Sequence, residues 1–223
     1  MTDIDLSPRQ NFDFATDNGK NTDKGPGKGV GKVLLIACGA LAREIIDLIE
    51  VNDWTTYDVT CLPAKWHNTP NLIVDGVRGK INNARDRYEK IFVVYGDCGT
   101  GGLLDKLLKE EGIERIEGPH CYAFFSGKDL VARHQEEDIT SFFLTDYLAR
   151  HFEKLVWQGL GLDRHPQLYQ DYFGHYKKLV YLAQTDDEAL KEKAMAAAEK
   201  LKLDYEYRFT GYGELESELI KRS

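Results

Sequence analysis

The stretch Val33-Leu34-Leu35-Ile36-Ala37-Cys38-Gly39-Ala40, followed by Leu41, Ile45, Ile46, Leu48 and Ile49, decides the fold. Five consecutive apolar residues closed by glycine read as a strand buried on both faces. Beyond Gly39 the apolar spacing becomes helical, so a strand feeds directly into a helix. The same cycle recurs downstream. Strands are expected at Tyr57–Leu62, Lys90–Tyr95 and Glu114–Glu117, with helices over Leu72–Tyr88 and Leu103–Glu111. Strand alternating with helix predicts a mostly parallel sheet covered by helices.

The second half begins differently. From about 129 to 176 the apolar residues Phe142, Phe143, Leu144, Tyr147, Leu148, Phe152, Leu155, Val156 and Trp157 fit helical spacing, which reads as a helical insert. Strand and helix then resume. Lys178–Ala183 is a fifth strand, and Asp186–Leu201 is a helix capped by Thr185. Tyr205–Phe209 is an alternating strand near an edge, and Glu214–Lys221 a last helix. Residues 1–31 carry Asn, Gly, Lys and Pro without an apolar period and read as a flexible tail. The expected organisation is that tail plus one α/β domain over residues 32–223, with a mostly parallel, Rossmann-like sheet and a helical insert.

Composition narrows the function. The chain has 223 residues, with 29 Lys+Arg against 37 Asp+Glu, a net charge of -8. An acidic chain is a poor binder of phosphate backbones, so no nucleic-acid partner is expected. No run reaches the ~18–20 apolar residues of a membrane helix, and the start of the chain has no signal-peptide pattern. The expectation is a cytoplasmic protein whose four cysteines are thiols or metal ligands.

Those cysteines follow one rule. Cys38, Cys61, Cys98 and Cys121 each stand at or just after the carboxyl end of an expected strand. A parallel sheet points all its strands one way, and ligands bind outside their carboxyl ends. The four sulfurs are therefore expected on one edge, with His67 and His120 in the same loops. Thiolates with imidazole are the donor set of zinc or of an iron–sulfur cluster such as [4Fe-4S]. There is no CxxC pair, so the signal is topological. A nucleophilic pair of Cys98 or Cys121 with His67 is the metal-free alternative.

Gly96-Asp97-Cys98-Gly99-Thr100-Gly101-Gly102 links strand to helix. It lacks the Gly-Lys-Ser/Thr ending of a P-loop. Gly99, Thr100, Gly101 and Gly102 read as an anion cradle or as an ordinary turn. Arg43, early in the first helix, is a candidate to hold a substrate carboxylate, and His67 and His120 are candidate proton donors or bases.

Taken together, Leu35-Ile36-Ala37-Cys38-Gly39-Ala40-Leu41, Cys61-Leu62-Pro63-Ala64 with His67-Asn68, Tyr95 to Gly102, and Gly118-Pro119-His120-Cys121-Tyr122 resemble the DUF1638 family. The resemblance runs from about Val33 to the C-terminus. Members are often met beside corrinoid-dependent methyltransferases. The resemblance implies a role in one-carbon or methyl metabolism, with the Cys/His motifs as its centre. A metal-dependent transferase acting on a small anionic substrate is expected. A non-catalytic accessory that carries a metal or corrinoid for a methyltransferase is the alternative.

Overall fold

The computed structural model describes residues 33–126 and 139–223. The expectations for residues 1–31, and for 129–138 of the insert, lie outside the described residues. Within them the class is α/β, with parallel strands throughout.

The strands form two sheets. The first contains β1 (Val33–Cys38), β2 (Tyr57–Leu62), β3 (Lys90–Val94) and β4 (Glu114–Arg115), in the order β2-β1-β3-β4. Every residue of β1 is buried, as its unbroken apolar run requires of a central strand. Helices α1 (Ala42–Val51), α2 (Asn71–Ala84) and α3 (Leu103–Glu111) cover this sheet, and a short α4 (Ala123–Ser126) follows β4.

The second sheet holds β5 (Ser141–Thr145), β6 (Lys178–Ala183) and β7 (Asp204–Phe209), in that order. Helix α5 (Asp146–Phe152) follows β5, α6 (Tyr169–Phe173) precedes β6, and α7 (Glu188–Lys200) joins β6 to β7. The expected insert thus contains a strand. Phe142, Phe143 and Leu144 satisfy helical spacing, but so short an apolar run fits a strand equally well. Thr145 settles the boundary by accepting a hydrogen bond from the Leu148 N–H, which starts α5 after the run and not within it. With β5 on one side and β7 on the other, β6 has both edges paired and adds nothing to the first sheet. β7 is an edge strand, as its alternating pattern predicts.

Thr185 does not cap α7. Asp187 does, accepting from Ala189 and Leu190 N–H groups at 2.9 and 3.3 Å. The Thr185 hydroxyl donates instead to the buried carboxylate of Asp146 at 2.5 Å.

Helix α8 (Gly213–Ile220) leaves the second sheet and returns to the first. Leu215 and Leu219 are buried in the core of the first sheet. The Tyr57 hydroxyl donates to the Leu219 carbonyl at 2.6 Å. Among the described residues no helix is long and apolar enough to cross a membrane.

Candidate metal centre

Strand order reverses between β1 and β3, and the crevice at such a switch point is the place where an open parallel sheet offers a site. Cys38 ends β1, and the loop after β3 carries Cys98. Two glycines let the surrounding loops close on this point. A Cβ on Gly39 would stand 2.9 Å from the Leu62 carbonyl oxygen, so the turn after β1 lies directly on the exit of β2. A Cβ on Gly96 would stand 2.8–3.0 Å from the His120 backbone. Beside that contact Asp97 N–H donates to the Gly118 carbonyl at 3.0 Å and Cys98 N–H to the Pro119 carbonyl at 2.9 Å. The loops after β3 and β4 therefore run side by side, which is why Cys98 meets Cys121.

Arg115 holds the two loops in that register. Its guanidinium donates to the carbonyls of Tyr95, Ile116 and Gly118 at 2.7–3.3 Å, and is braced by Asp105 at 2.6 Å.

One ligand atom each of Cys38, His67 and Cys121 lies within 4.8 Å of the others. Cys98 Sγ lies outside that group of three but stands 3.3 Å from Cys121 Sγ. His67 is oriented for the role. Its Nδ1 stands 2.9 Å from the Ala64 carbonyl oxygen, which accepts only, so Nδ1 carries the proton. The ring faces the Cys38 sulfur with both nitrogens, Nδ1 at 3.8 Å and Nε2 at 3.9 Å. A backbone carbonyl holding one ring nitrogen is the usual support of a metal-ligating imidazole.

The electrostatics are those of a thiolate array. Burial works against charge on Cys38, but the Cys121 thiol and the His67 ring outweigh it and bring it down to about 5. Cys121, and then His67, hold Cys98 down to about 5 as well. Burial likewise opposes charge on His67, yet the Cys38 and Cys98 sulfurs push it up to about 11. Cys121 is driven well above the usual thiol range, because Cys38 and Cys98 use its proton. The His67 ring and the Cys121 proton balance the charge of these sulfurs, and Cys38, His67 and Cys121 together could hold a metal ion.

The other expected residues lie apart. Cys61 pairs in register with Ala37, whereas Cys38 pairs with Leu62. Strand pleating therefore points Cys61 to the opposite face from Cys38. Burial, with Cys38 adding, raises its thiol to about 12, so it stays protonated. Arg43 is exposed and acts on Asp47. His120 is exposed and stacks on Tyr122 at 5.1 Å, and Tyr122 stacks on Phe143 of β5 at 5.1 Å. That three-ring stack joins the β4 loop to the second sheet.

The glycine loop already holds an anion of its own. Asp97 accepts from the Gly101 and Gly102 N–H groups at 3.1 and 2.8 Å and from the Thr100 hydroxyl at 2.7 Å. Its carboxyl is kept below the usual range by these donors, the Thr100 hydroxyl foremost. The expected cradle at Gly99 to Gly102 thus spends two of its amides and its hydroxyl internally. Sequence reasoning missed Asp97 in this role, although an Asp three to five residues before glycine amides is a capping signal. It also missed Tyr95 and Arg115, which carry no local signature.

The family model described as "Protein of unknown function (DUF1638)" matches residues 61–219. The matched stretch includes His67, Cys98 and Cys121 and begins after Cys38. No curated protein and no solved structure matches the chain.

Proposed function

The chain belongs to the DUF1638 family, whose description carries no reaction, and we propose from the site itself that it binds one thiophilic metal ion, zinc by its donor set, and uses it in methyl or sulfur group transfer. Cys38, His67, Cys98 and Cys121 are the ligands. The observation that carries this reading is the convergence of Cys38, His67 and Cys121, whose ligand atoms lie within 4.8 Å of one another.

A single ion fits better than a cluster. Sulfurs around one tetrahedral zinc stand about 3.8 Å apart, from bonds of ~2.3 Å. The 3.3 Å between Cys98 and Cys121 sulfurs is close to that. A cubane gives each thiolate its own iron, which spreads the sulfurs further apart.

A zinc-bound thiolate stays ionised at neutral pH and remains nucleophilic. In the proposed step a sulfur attacks an electrophilic carbon; the S–C bond forms as the bond from carbon to its leaving group breaks, and the leaving group departs with the electron pair. Cys98 and Cys121 are the candidate acceptors, being 6% and 7% exposed while Cys38 is fully buried. The family resemblance makes a methyl carrier such as a corrinoid a candidate donor.

The burial of the sulfurs also favours a second reading. Four donors nearly sealed from solvent would equally suit a non-catalytic accessory of a methyltransferase.

Anaerobic purification with elemental analysis and an absorption spectrum tests the proposal. About one zinc per chain and no visible band is the expected result. Iron with acid-labile sulfide would replace zinc by a cluster, and absence of any metal would overturn the metal reading.

A further inference from the structure

Tyr95 is the largest fully buried side chain of the first core that carries a polar atom. Its hydroxyl oxygen is sealed from solvent and has no hydrogen-bond partner. A buried hydroxyl without a partner costs roughly 1–3 kcal/mol, so such a group calls for an explanation. An apolar phenylalanine would fill the same space without that cost.

The position of Tyr95 supplies the explanation. β1 and β3 pair in parallel, with Ala37 opposite Val94. Cys38 and Tyr95 are the next residues along each strand, so they lie side by side on one face of the sheet. The His67 imidazole is stacked against the Tyr95 ring, with centroids 6.2 Å apart and planes 19° from parallel. Ligand sulfur lies on one side of the phenol and the ligand imidazole over its face. The charges its hydroxyl feels are those of Cys38, Cys121 and Cys98, with Cys38 foremost. Cys38 already accepts one hydrogen bond, from the Ala40 N–H at 3.3 Å.

We propose that Tyr95 is a positioning residue of the centre: with the ion bound, its otherwise unpartnered hydroxyl donates to the Cys38 sulfur and fixes it as the ligand that does not transfer. This inference rests on the metal reading above. Hydrogen bonds to a coordinated thiolate draw electron density from it and lower its nucleophilicity. Cys38 would carry two, from Ala40 and Tyr95, and has no exposure to solvent. Reaction is thereby directed to Cys98 or Cys121, the sulfurs nearer the surface.

The test compares wild type, Tyr95→Phe and Tyr57→Phe after loading with Co²⁺. The Tyr57 hydroxyl bonds the Leu219 carbonyl and touches no ligand, so Tyr57→Phe controls for loss of a buried hydroxyl. The expected result for Tyr95→Phe is a sulfur-to-cobalt charge-transfer band at longer wavelength and affinity for the ion reduced about 10–100-fold. The control is expected to keep the wild-type band. If wild type and Tyr95→Phe take up cobalt with identical spectra and affinities, the role of Tyr95 is overturned and the metal centre stands. If wild type takes up no cobalt, the metal centre is overturned and the role of Tyr95 with it.

Discussion

The sulfurs of Cys98 and Cys121 stand 3.3 Å apart although 23 residues separate them in the chain. A disulfide needs about 2.05 Å, so a closure of little more than 1 Å would join them. Without a metal this pair is the oxidation-sensitive point of the molecule. Incubating metal-free protein with glutathione disulfide is expected to remove two thiols and yield one peptide linkage, Cys98 to Cys121, while Cys61 stays reduced. The zinc-loaded protein is expected to resist. A linkage through Cys38 or Cys61 would contradict the geometry.

Serine substitutions separate Cys61 from two of the proposed ligands, Cys38 and Cys121. Cys38→Ser and Cys121→Ser are expected to lose more affinity for zinc than the ~10–100-fold that follows loss of an outer partner. Cys61→Ser is expected to bind zinc like wild type, because its thiol lies on the other face of the strand. Competition with a colorimetric chelator measures all three. Equal losses in Cys61→Ser and Cys38→Ser would place Cys61 in the centre after all.

Arg115 makes its contribution at a distance from the metal. Arg115→Met keeps much of the volume but leaves three carbonyls without their donor. Unfolding in urea is expected to show roughly 2 kcal/mol lost, with zinc affinity lowered as the two loops separate. Full stability with full zinc affinity would mean that the loops hold themselves.

Glu44 sets a pH dependence. It is 3% exposed, and its Oε2 has no partner. Burial, with Asp146 adding and Arg150 opposing, raises its carboxyl from 4.5 to about 7. The protonated form is the one the fold accommodates. Its stabilisation is complete below about 4.5 and is lost as pH rises through about 7, a change of roughly 3 kcal/mol. Denaturation of Glu44→Gln is expected to lack that decline and to exceed wild type above neutrality. Parallel pH profiles for the two proteins would show that Glu44 is ionised without cost.

What could be read beforehand followed from rules that act locally or through topology. β1 was legible because five apolar residues between glycines have few alternatives. The meeting of Cys38, Cys98 and Cys121 was legible because parallel strands send their carboxyl ends to one edge. Cys61 lies inside β2 as expected, one residue short of its end, and pleating turns it to the face opposite Cys38, which the one-edge rule does not record. β5 was lost because Phe142 to Leu144 suits two periodicities, and only the Thr145 cap and the pairing with β6 decide between them. The glycine loop showed its amides but not that Asp97 already occupies them. Arg115 and Tyr95 were invisible for another reason. Their partners are carbonyls, rings and sulfurs brought near by the fold, and no spacing along the chain records that.

The return of α8 to the first sheet imposes an order of events during synthesis. Residues 33–126 contain every proposed ligand, yet their hydrophobic interior stays short of Leu215 and Leu219 until residue 219 has left the ribosome. A growing chain that already carries the proposed ligands must wait about a hundred residues for the wedge that closes their scaffold, a delay of several seconds at ordinary elongation rates. Closure of the core around the proposed ligands is therefore expected to be a late, whole-chain event.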